Sequence, residues 1–232
     1  MSHKQQQIER FCRRLGYQFS DSQLILKALT HRSASNHHNE RLEFLGDAVL
    51  GMVIAKALFA QFPNVDEGQL SRMRSSLVKG KTLAVIAKEI DLGDYIYLGE
   101  GELKSGGFRR ASILADAFEA VIGAVYLDSG FDQANRLILK LYGERLTQLD
   151  PESVKKDPKT RLQELLQSQR LSLPEYQLLN VSGEAHQQTF EVACIVSEKS
   201  IKTLGTGNSR RSAEQLAAEN ALTELQKISV SS

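Results

Sequence analysis

Apolar residues recur at helical spacing through the first two thirds of the chain. Between residues 5 and 150 the apolar positions lie three or four apart, and no segment shows a convincing strand pattern. Residues 20–23, Ser-Asp-Ser-Gln, form a capping box that begins one helix, and the next helix runs to about Phe62. Glycines within residues 99–107 predict a mobile loop, and a last helix spans roughly residues 131–149. This part of the chain is therefore predicted to be all-α.

The pattern changes after a polar stretch with two prolines, and residues 151–157 are interpreted as a linker. A short amphipathic helix, three strands and a final helix are predicted beyond it. Apolar side chains occupy alternate positions of the second strand, at Phe190, Val192, Cys194 and Val196. The pattern predicts two domains, an all-α domain over residues 1–150 and an α+β domain (α-β-β-β-α) over residues 158–227, with a tail at residues 228–232.

Three carboxylates share one face of a predicted helix. Glu40, Glu43 and Asp47 are spaced i, i+3 and i+7, which places them within roughly 60° of one another around a helix axis. Like charges at this spacing repel each other. The face is therefore expected to meet positive charge, either from Lys or Arg side chains elsewhere or from a metal ion.

A second acidic pair lies in a segment that is otherwise almost entirely apolar or small. Asp116 and Glu119 interrupt residues 112–127, which contain no basic side chain. A helix that is apolar all round is usually buried, and a buried carboxylate without a partner tends to become neutral. A divalent ion shared with the first acidic face would keep these acids ionised, whereas the simpler interpretation gives each acid a Lys or Arg partner.

Composition and charge narrow the class of protein only slightly. The chain of 232 residues has a formal charge of +1 and no Trp. Both predicted domains are nearly balanced in charge, with 19 basic and 18 acidic residues up to position 150 and 10 of each beyond it. Only a clustered face could therefore indicate nucleic-acid binding.

The cellular compartment is indicated by the cysteines and by the absence of an apolar span. Two distant cysteines suit a reducing compartment. Without an export signal or an apolar span, the protein is expected in the cytoplasm.

Two segments carry a resemblance to a known family. The string NERLEFLGDAVL at residues 39–50, followed by GELKSGGFRRASILADAFEAVIGAVYLD at residues 101–128, resembles the bacterial ribonuclease III family, and the order of segments matches over almost the whole chain. The α-β-β-β-α unit likewise resembles the double-stranded-RNA-binding domain. The resemblance implies a homodimeric endoribonuclease that cleaves double-stranded RNA.

The resemblance also implies roles for the acids. It implies metal binding by Glu43, Asp47, Asp116 and Glu119, with Asp47 and Glu119 as the catalytic residues and Glu40 and Glu67 as further acids of the same cleft. Mg²⁺ suits a group of carboxylates that lacks His and Cys, with Mn²⁺ as a substitute. The implied reaction is hydrolysis of phosphodiester bonds with two metal ions, giving 5′-phosphate and 3′-hydroxyl ends. Structured precursors of ribosomal, messenger and transfer RNA are the implied substrates.

Dimerisation and RNA binding are implied for further side chains. Phe44 matches an aromatic that packs into the partner subunit, although an ordinary core Phe is the alternative. Contacts with RNA are implied for Gln163, Glu164, His186, Ser209, Arg210 and Arg211. The last three lie at the start of the final helix, where free N–H groups and two guanidinium groups suit phosphate. Such contacts recognise the shape of the duplex and its 2′-hydroxyl groups more than its sequence.

The sequence departs from the family pattern at two positions. Glu214 stands where many such domains have a third basic residue after Arg210 and Arg211, which implies weaker phosphate binding. Ala111 stands where related chains often have Glu. The main alternative function is a non-catalytic double-stranded-RNA-binding protein with a degenerate nuclease domain, but all six acids are present. A phosphohydrolase of small nucleotides would leave the second domain unexplained, and a helical adaptor would leave the acids of the apolar segment unexplained.

Overall fold

The computed structural model describes residues 3–151, 156–184 and 187–230. The chain divides into two compact units, Met1–Val154 and Lys155–Ser232. The division falls inside the predicted linker, of which residues 152–155 lie outside the described part of the chain. Each unit has a hydrophobic core of its own.

The first unit is helical, as predicted. Its helices are α1 (His3–Leu15), α2 (Ser22–Ala28), α3 (Glu40–Gln61), α4 (Glu67–Val78), α5 (Gly80–Glu89), α6 (Glu100–Lys104), α7 (Ala111–Tyr142) and α8 (Glu144–Thr147). The β-pairing described within it is a single isolated bridge between Thr30 and Tyr97. Asp21 is the N-cap of α2 and accepts a hydrogen bond from the backbone N–H of Gln23 at 2.8 Å.

The core of this unit is built around α7. From Ile113 to Val125 this helix buries all its side chains except those of the two acids, Asp116 and Glu119. The apolar stripe of α3 is equally buried, with Leu50, Val53 and Ile54 fully inaccessible. Burial of these stripes supplies the main stabilisation of the unit.

Two segments differ from the prediction. Residues 99–107, predicted as a loop, contain the short helix α6, and a 3₁₀ turn follows at Gly107–Arg109. The predicted last helix at residues 131–149 is the second half of α7 followed by α8. It is separated from the apolar half by a break at Gly130, whose φ of +75° lies in the left-handed region that favours glycine.

The second unit has the predicted order α-β-β-β-α. It contains α9 (Pro158–Ser168), β1 (Glu175–Ser182), β2 (Thr189–Val196), β3 (Ile201–Gly207) and α10 (Arg210–Val230). The strands form an antiparallel sheet in the order β1-β2-β3. One face of the sheet packs on the two helices, where Cys194 and Val196 meet Leu162, Leu166 and the alanines of α10.

The two cysteines are unpaired, and the described helices are too short or too polar to cross a membrane. Cys12 and Cys194 are buried free thiols. Among the described helices, none combines the length and the hydropathy that a membrane crossing requires.

Candidate metal centre and RNA-binding surface

Glycines bring α3 and α7 into backbone contact. A Cβ atom added to Gly46 would lie 1.8 Å from the carbonyl oxygen of Glu119, and one added to Gly123 would lie 2.2 Å from that of Leu42. Any side chain at either position would therefore push the helices apart. The close approach brings the acids of α3 next to those of α7.

Three of the four predicted metal acids come together at this contact. One oxygen each from Glu43, Asp116 and Glu119 can be chosen so that all three lie within 4.8 Å of one another, and each side chain is partly buried. Asp47, one turn further along α3, is exposed and lies outside this group. Three carboxylates at this spacing can hold a divalent ion.

Burial and mutual repulsion raise the pKa values of these three acids. Burial and then the charges of Asp47, Glu43 and Asp116 raise the pKa of Glu119 to about 8. Burial also raises the pKa of Glu43, with the charge of Asp116 adding to the effect. The pKa of Asp116 is raised by burial too, although the nearby His31 and Arg32 side chains partly offset the rise. Without a bound metal ion, burial and mutual repulsion thus shift each acid toward its protonated form.

A cavity of about 360 Å³ opens beside Glu43 and Asp116, two of the three acids. It is lined by His31, Arg32, Asn39, Glu40, Glu43, Glu102, Arg110, Ser112, Ile113 and Asp116. Glu40, predicted as a further acid of the cleft, therefore shares this cavity with Glu43. Its carboxylate accepts a hydrogen bond from Arg32 at 3.2 Å and lies 3.7 Å from Nδ1 of His38. Glu40 is thus contacted by Arg32 and His38 of the segment that precedes α3.

A second ion pair lies on the wall of the same cavity. Arg110, the residue before α7, pairs with Glu102 of α6 at 2.9 Å and donates to Ser105 Oγ at 3.3 Å. Ala111, the neighbouring residue and the first of α7, offers no carboxylate of its own. Glu102 therefore supplies a carboxylate that holds Arg110 and the segment before α7.

Glu67 lies elsewhere in the single chain. It is the first residue of α4, accepts a hydrogen bond from Ser71 Oγ at 2.7 Å and lines an apolar pocket with Met52 and Phe59. Phe44 belongs to the same side of α3 and is 81% exposed. Phe44 is therefore not a core residue of the chain by itself, and the place of Glu67 in the cleft stays a prediction.

The sequence reasoning did not identify the glycines or the cavity arginines. Glycine within a helix costs about 1 kcal/mol relative to alanine, so a glycine beside the acids of each helix was a signal of close packing. Arg32 and Arg110 carried no comparable signal, because each pairs with an acid eight positions away across a turn of the chain, a spacing that no helical or strand periodicity indicates.

Five of the six predicted RNA-binding residues are described by the structure, on α9 and at the start of α10. Ser209 accepts a hydrogen bond from the backbone N–H of Ser212 at 3.1 Å at the start of α10, where Arg210 and Arg211 are 60% and 82% exposed. Gln163 and Glu164 are exposed on α9, and Glu164 pairs with Lys156. His186 lies outside the described residues.

Comparisons with known proteins agree with this architecture. The Ribonuclease-III-like family matches residues 21–146, and the Double-stranded RNA binding motif matches residues 158–225. Ribonuclease 3 from Shewanella frigidimarina is 58% identical over 220 residues, which cover 95% of this chain and 97% of that protein. Ribonuclease 3 from Shewanella amazonensis is 60% identical over 215 residues, covering 93% and 95% respectively.

A solved structure matches the helical unit. The nuclease domain of ribonuclease III from Campylobacter jejuni aligns with a TM-score of 0.58 at 45% identity, covering 59% of this chain and 96% of that one. The family matches account for both units, and the relatives are similar over nearly their whole length. The chain therefore belongs to the ribonuclease III family and is an endoribonuclease with a double-stranded-RNA-binding domain.

Proposed function

We propose that the protein hydrolyses phosphodiester bonds of double-stranded RNA in a Mg²⁺-dependent reaction that leaves 5′-phosphate and 3′-hydroxyl ends. The observation that carries this proposal is the group formed by Glu43, Asp116 and Glu119, whose carboxylate oxygens lie close enough together to share one ion. Two of these acids, Glu43 and Asp116, line an open cavity. These oxygen ligands suit Mg²⁺, a hard cation, and Mn²⁺ is expected to replace it.

The carboxylates would hold the metal, and the cavity cations would orient RNA. Mg²⁺ supplies, when bound, activation of water and stabilisation of negative charge on the phosphate. Glu119 is the most buried of the three acids, so it offers a fixed ligand, while exposed Asp47 remains accessible for a further ligand role. Arg32, held by Glu40, lies where it can contact the RNA backbone beside the acids.

The natural substrates we propose are structured precursors of ribosomal, messenger and transfer RNA. Recognition by duplex shape, which such precursors share in their hairpin stems, needs little base sequence. We place the activity in the cytoplasm, because two buried free cysteines suit a reducing compartment.

Cleavage assays test this function directly. A long labelled RNA duplex and its single strands are incubated with the protein, in Mg²⁺ and in chelator. We expect cutting only of the duplex, only with Mg²⁺, and with 5′-phosphate ends. Duplex binding without cutting under every divalent metal would favour the non-catalytic alternative instead.

Metal binding is expected to depend on pH because protons and metal compete for Glu119. With a pKa near 8 in the metal-free protein, this side chain is mostly protonated at neutral pH and must lose its proton to bind Mg²⁺. The apparent Mg²⁺ affinity should rise roughly fivefold from pH 7 to pH 8 and then level off, with proton release on binding. Titration calorimetry in buffers of different ionisation enthalpy measures both quantities. A constant affinity across this interval, without proton release, would contradict the assignment of Glu119 as a ligand.

We also propose that the protein acts as a homodimer formed through α3. Phe44, Met52 and Phe59 are 81%, 59% and 75% exposed and lie within roughly 80° of one another around the helix. Exposed apolar patches of this kind mark interaction surfaces. The Campylobacter jejuni nuclease domain is described as having a region involved in dimer formation, which supports the same assembly here.

Phe44→Asp tests the dimer. The charge would be buried at the interface, so sedimentation velocity should show a dimer for the unmodified protein and a monomer for the variant. Val85→Ala is the control, because Val85 is also exposed, at 44%, but lies on α5. A dimer that survives Phe44→Asp, or an unmodified protein that sediments as a monomer, would reject this interface.

A further inference from the structure

A groove of the second unit connects two kinds of predicted RNA contact. It has a volume of about 500 Å³ and is lined by Asp157, Lys159, Thr160, Gln163, Arg211 and Glu214. Gln163 is predicted to contact ribose, and Arg211 is predicted to contact phosphate. Lys159 lies on the wall of the same groove, although the sequence pattern assigns it no role.

Lys159 is held by two contacts from different elements. Its ammonium donates to the carboxylate of Glu214 on α10 and lies 4.3 Å from the centre of the Tyr176 ring on β1. Glu214 is only 12% exposed and also accepts a hydrogen bond from Arg210 Nε at 2.9 Å. A single buried carboxylate thus fixes one cation from each helix.

Glu214 stays charged in this position. Burial tends to raise its pKa, but the hydrogen bonds from Lys159 and Arg210 outweigh burial and hold the pKa below its usual range. The acid therefore acts as an anchor for both cations and, with both oxygens occupied, has little capacity left for other donors.

Asp157 plays a similar part at the start of α9. Its carboxylate accepts hydrogen bonds from the backbone N–H of Lys159 at 2.9 Å and from Gln215 Nε2 at 2.6 Å, and it lies 3.8 Å from the Arg211 guanidinium. The cluster of Asp157, Lys159, Arg210, Arg211 and Glu214 contains three cations and two anions. It therefore keeps a net positive charge in a domain that is neutral by count.

We propose that Lys159, positioned by Glu214, binds an RNA phosphate, so that α9 supplies the third cation that α10 lacks at position 214. The inference rests on the proposed binding of duplex RNA by this domain. Glu214, which replaces a basic residue of the common pattern, recruits a cation from the neighbouring helix. The side chain of Lys159 remains 35% exposed and can donate to a second anion while keeping its contact with Glu214.

A purely structural clasp between the helices is the competing explanation. Partly exposed ion pairs contribute little to stability, and such a clasp would affect unfolding without changing how RNA affinity depends on salt. The dependence of the dissociation constant on salt therefore distinguishes phosphate binding by Lys159 from a structural clasp. Each phosphate neutralised by a protein cation adds about one to the slope of log K against log [salt].

The experiment measures binding of the full-length protein to a short perfect RNA duplex by fluorescence anisotropy, in chelator and over a series of KCl concentrations. The variants are Lys159→Ala, Lys159→Arg and the double variant Arg210→Ala/Arg211→Ala. Lys202→Ala is the matched control. Lys202 is exposed on β3 and points away from α10, since the neighbouring Thr203 hydrogen-bonds to the carbonyl oxygen of Ala217.

We expect Lys159→Ala to weaken binding roughly three- to tenfold near 0.15 M salt and to lower the slope by about one. Lys159→Arg should keep the slope of the unmodified protein, as should Lys202→Ala. Thermal unfolding of each variant reports separately on the fold.

Unchanged salt dependence in Lys159→Ala, together with a lower slope in the double arginine variant, would overturn this inference and leave the proposed function standing. An unmodified protein that does not bind duplex RNA would overturn both. A lower unfolding temperature of Lys159→Ala without any change in slope would identify a structural clasp.

Discussion

Replacing Glu119 with Gln is expected to abolish RNA cleavage while leaving duplex binding close to that of the unmodified protein. The amide keeps the size of the side chain but loses the negative charge that a divalent ion requires. Cleavage should fall by about a thousandfold, the upper end of the range found when a group that stabilises transition-state charge is removed. Single-turnover cleavage of a labelled duplex measures the first effect, and anisotropy in chelator measures the second.

The same substitution should also stabilise the metal-free protein near neutral pH. The raised pKa of Glu119 means that unfolding relieves an unfavourable environment for the charged form, and the amide has no charge to relieve. Glu100→Gln is the control, since Glu100 is 92% exposed at the start of α6. Near-normal turnover of Glu119→Gln would remove Glu119 from the metal site.

Gly46→Ala is expected to destabilise the helical unit and to disable the acid group together. The added methyl would meet the backbone of Glu119 at 1.8 Å, and a backbone cannot move aside as a flexible side chain can. Overpacking of this kind should lower the unfolding free energy by about 3 kcal/mol, or the unfolding temperature by roughly 10 °C. The separation of α3 from α7 should reduce cleavage more than the loss of folded protein explains.

Gly101→Ala provides the matched control for this prediction. Gly101 lies in α6 with no heavy atom within 4 Å of an added Cβ, so the methyl should stabilise the helix by up to about 1 kcal/mol. Differential scanning fluorimetry and cleavage rates of both variants give the comparison. Equal unfolding temperatures for Gly46→Ala and the unmodified protein would mean that the two helices are not in backbone contact.

Helical periodicity places the acids on helix faces, and the family resemblance, not periodicity, implies their role as metal ligands. The spacing of Glu40, Glu43 and Asp47 defines one face of a helix, and the apolar surroundings of Asp116 and Glu119 require a counter-charge. Periodicity does not give the distance between two helices. The mutual approach of Glu43, Asp116 and Glu119, and the position of Asp47 outside that group, follow from the contact at Gly46.

Side-chain partners that are distant in sequence could not be predicted from the chain. Lys159 and Glu214 are 55 positions apart, and only the packing of α9 beside α10 brings them together. From the sequence alone, Glu214 predicted a weaker phosphate site. In the structure its carboxylate pairs with both Lys159 and Arg210. The ion pair between Arg110 and Glu102 could not be predicted either. The glycines around Glu102 predicted a loop, whereas the structure has the helix α6 there.

We propose that the carboxylates of α3 and α7 bind the ion on which cleavage depends. Anomalous diffraction from crystals grown with Mn²⁺ tests it most directly. We predict an anomalous peak about 2.2 Å from oxygens of Glu43, Asp116 and Glu119, the distance expected for Mn²⁺ bound to carboxylates, and its loss in Glu119→Gln. Crystals of a protein that cleaves duplex RNA with Mn²⁺ but that show no peak between these residues would contradict the account.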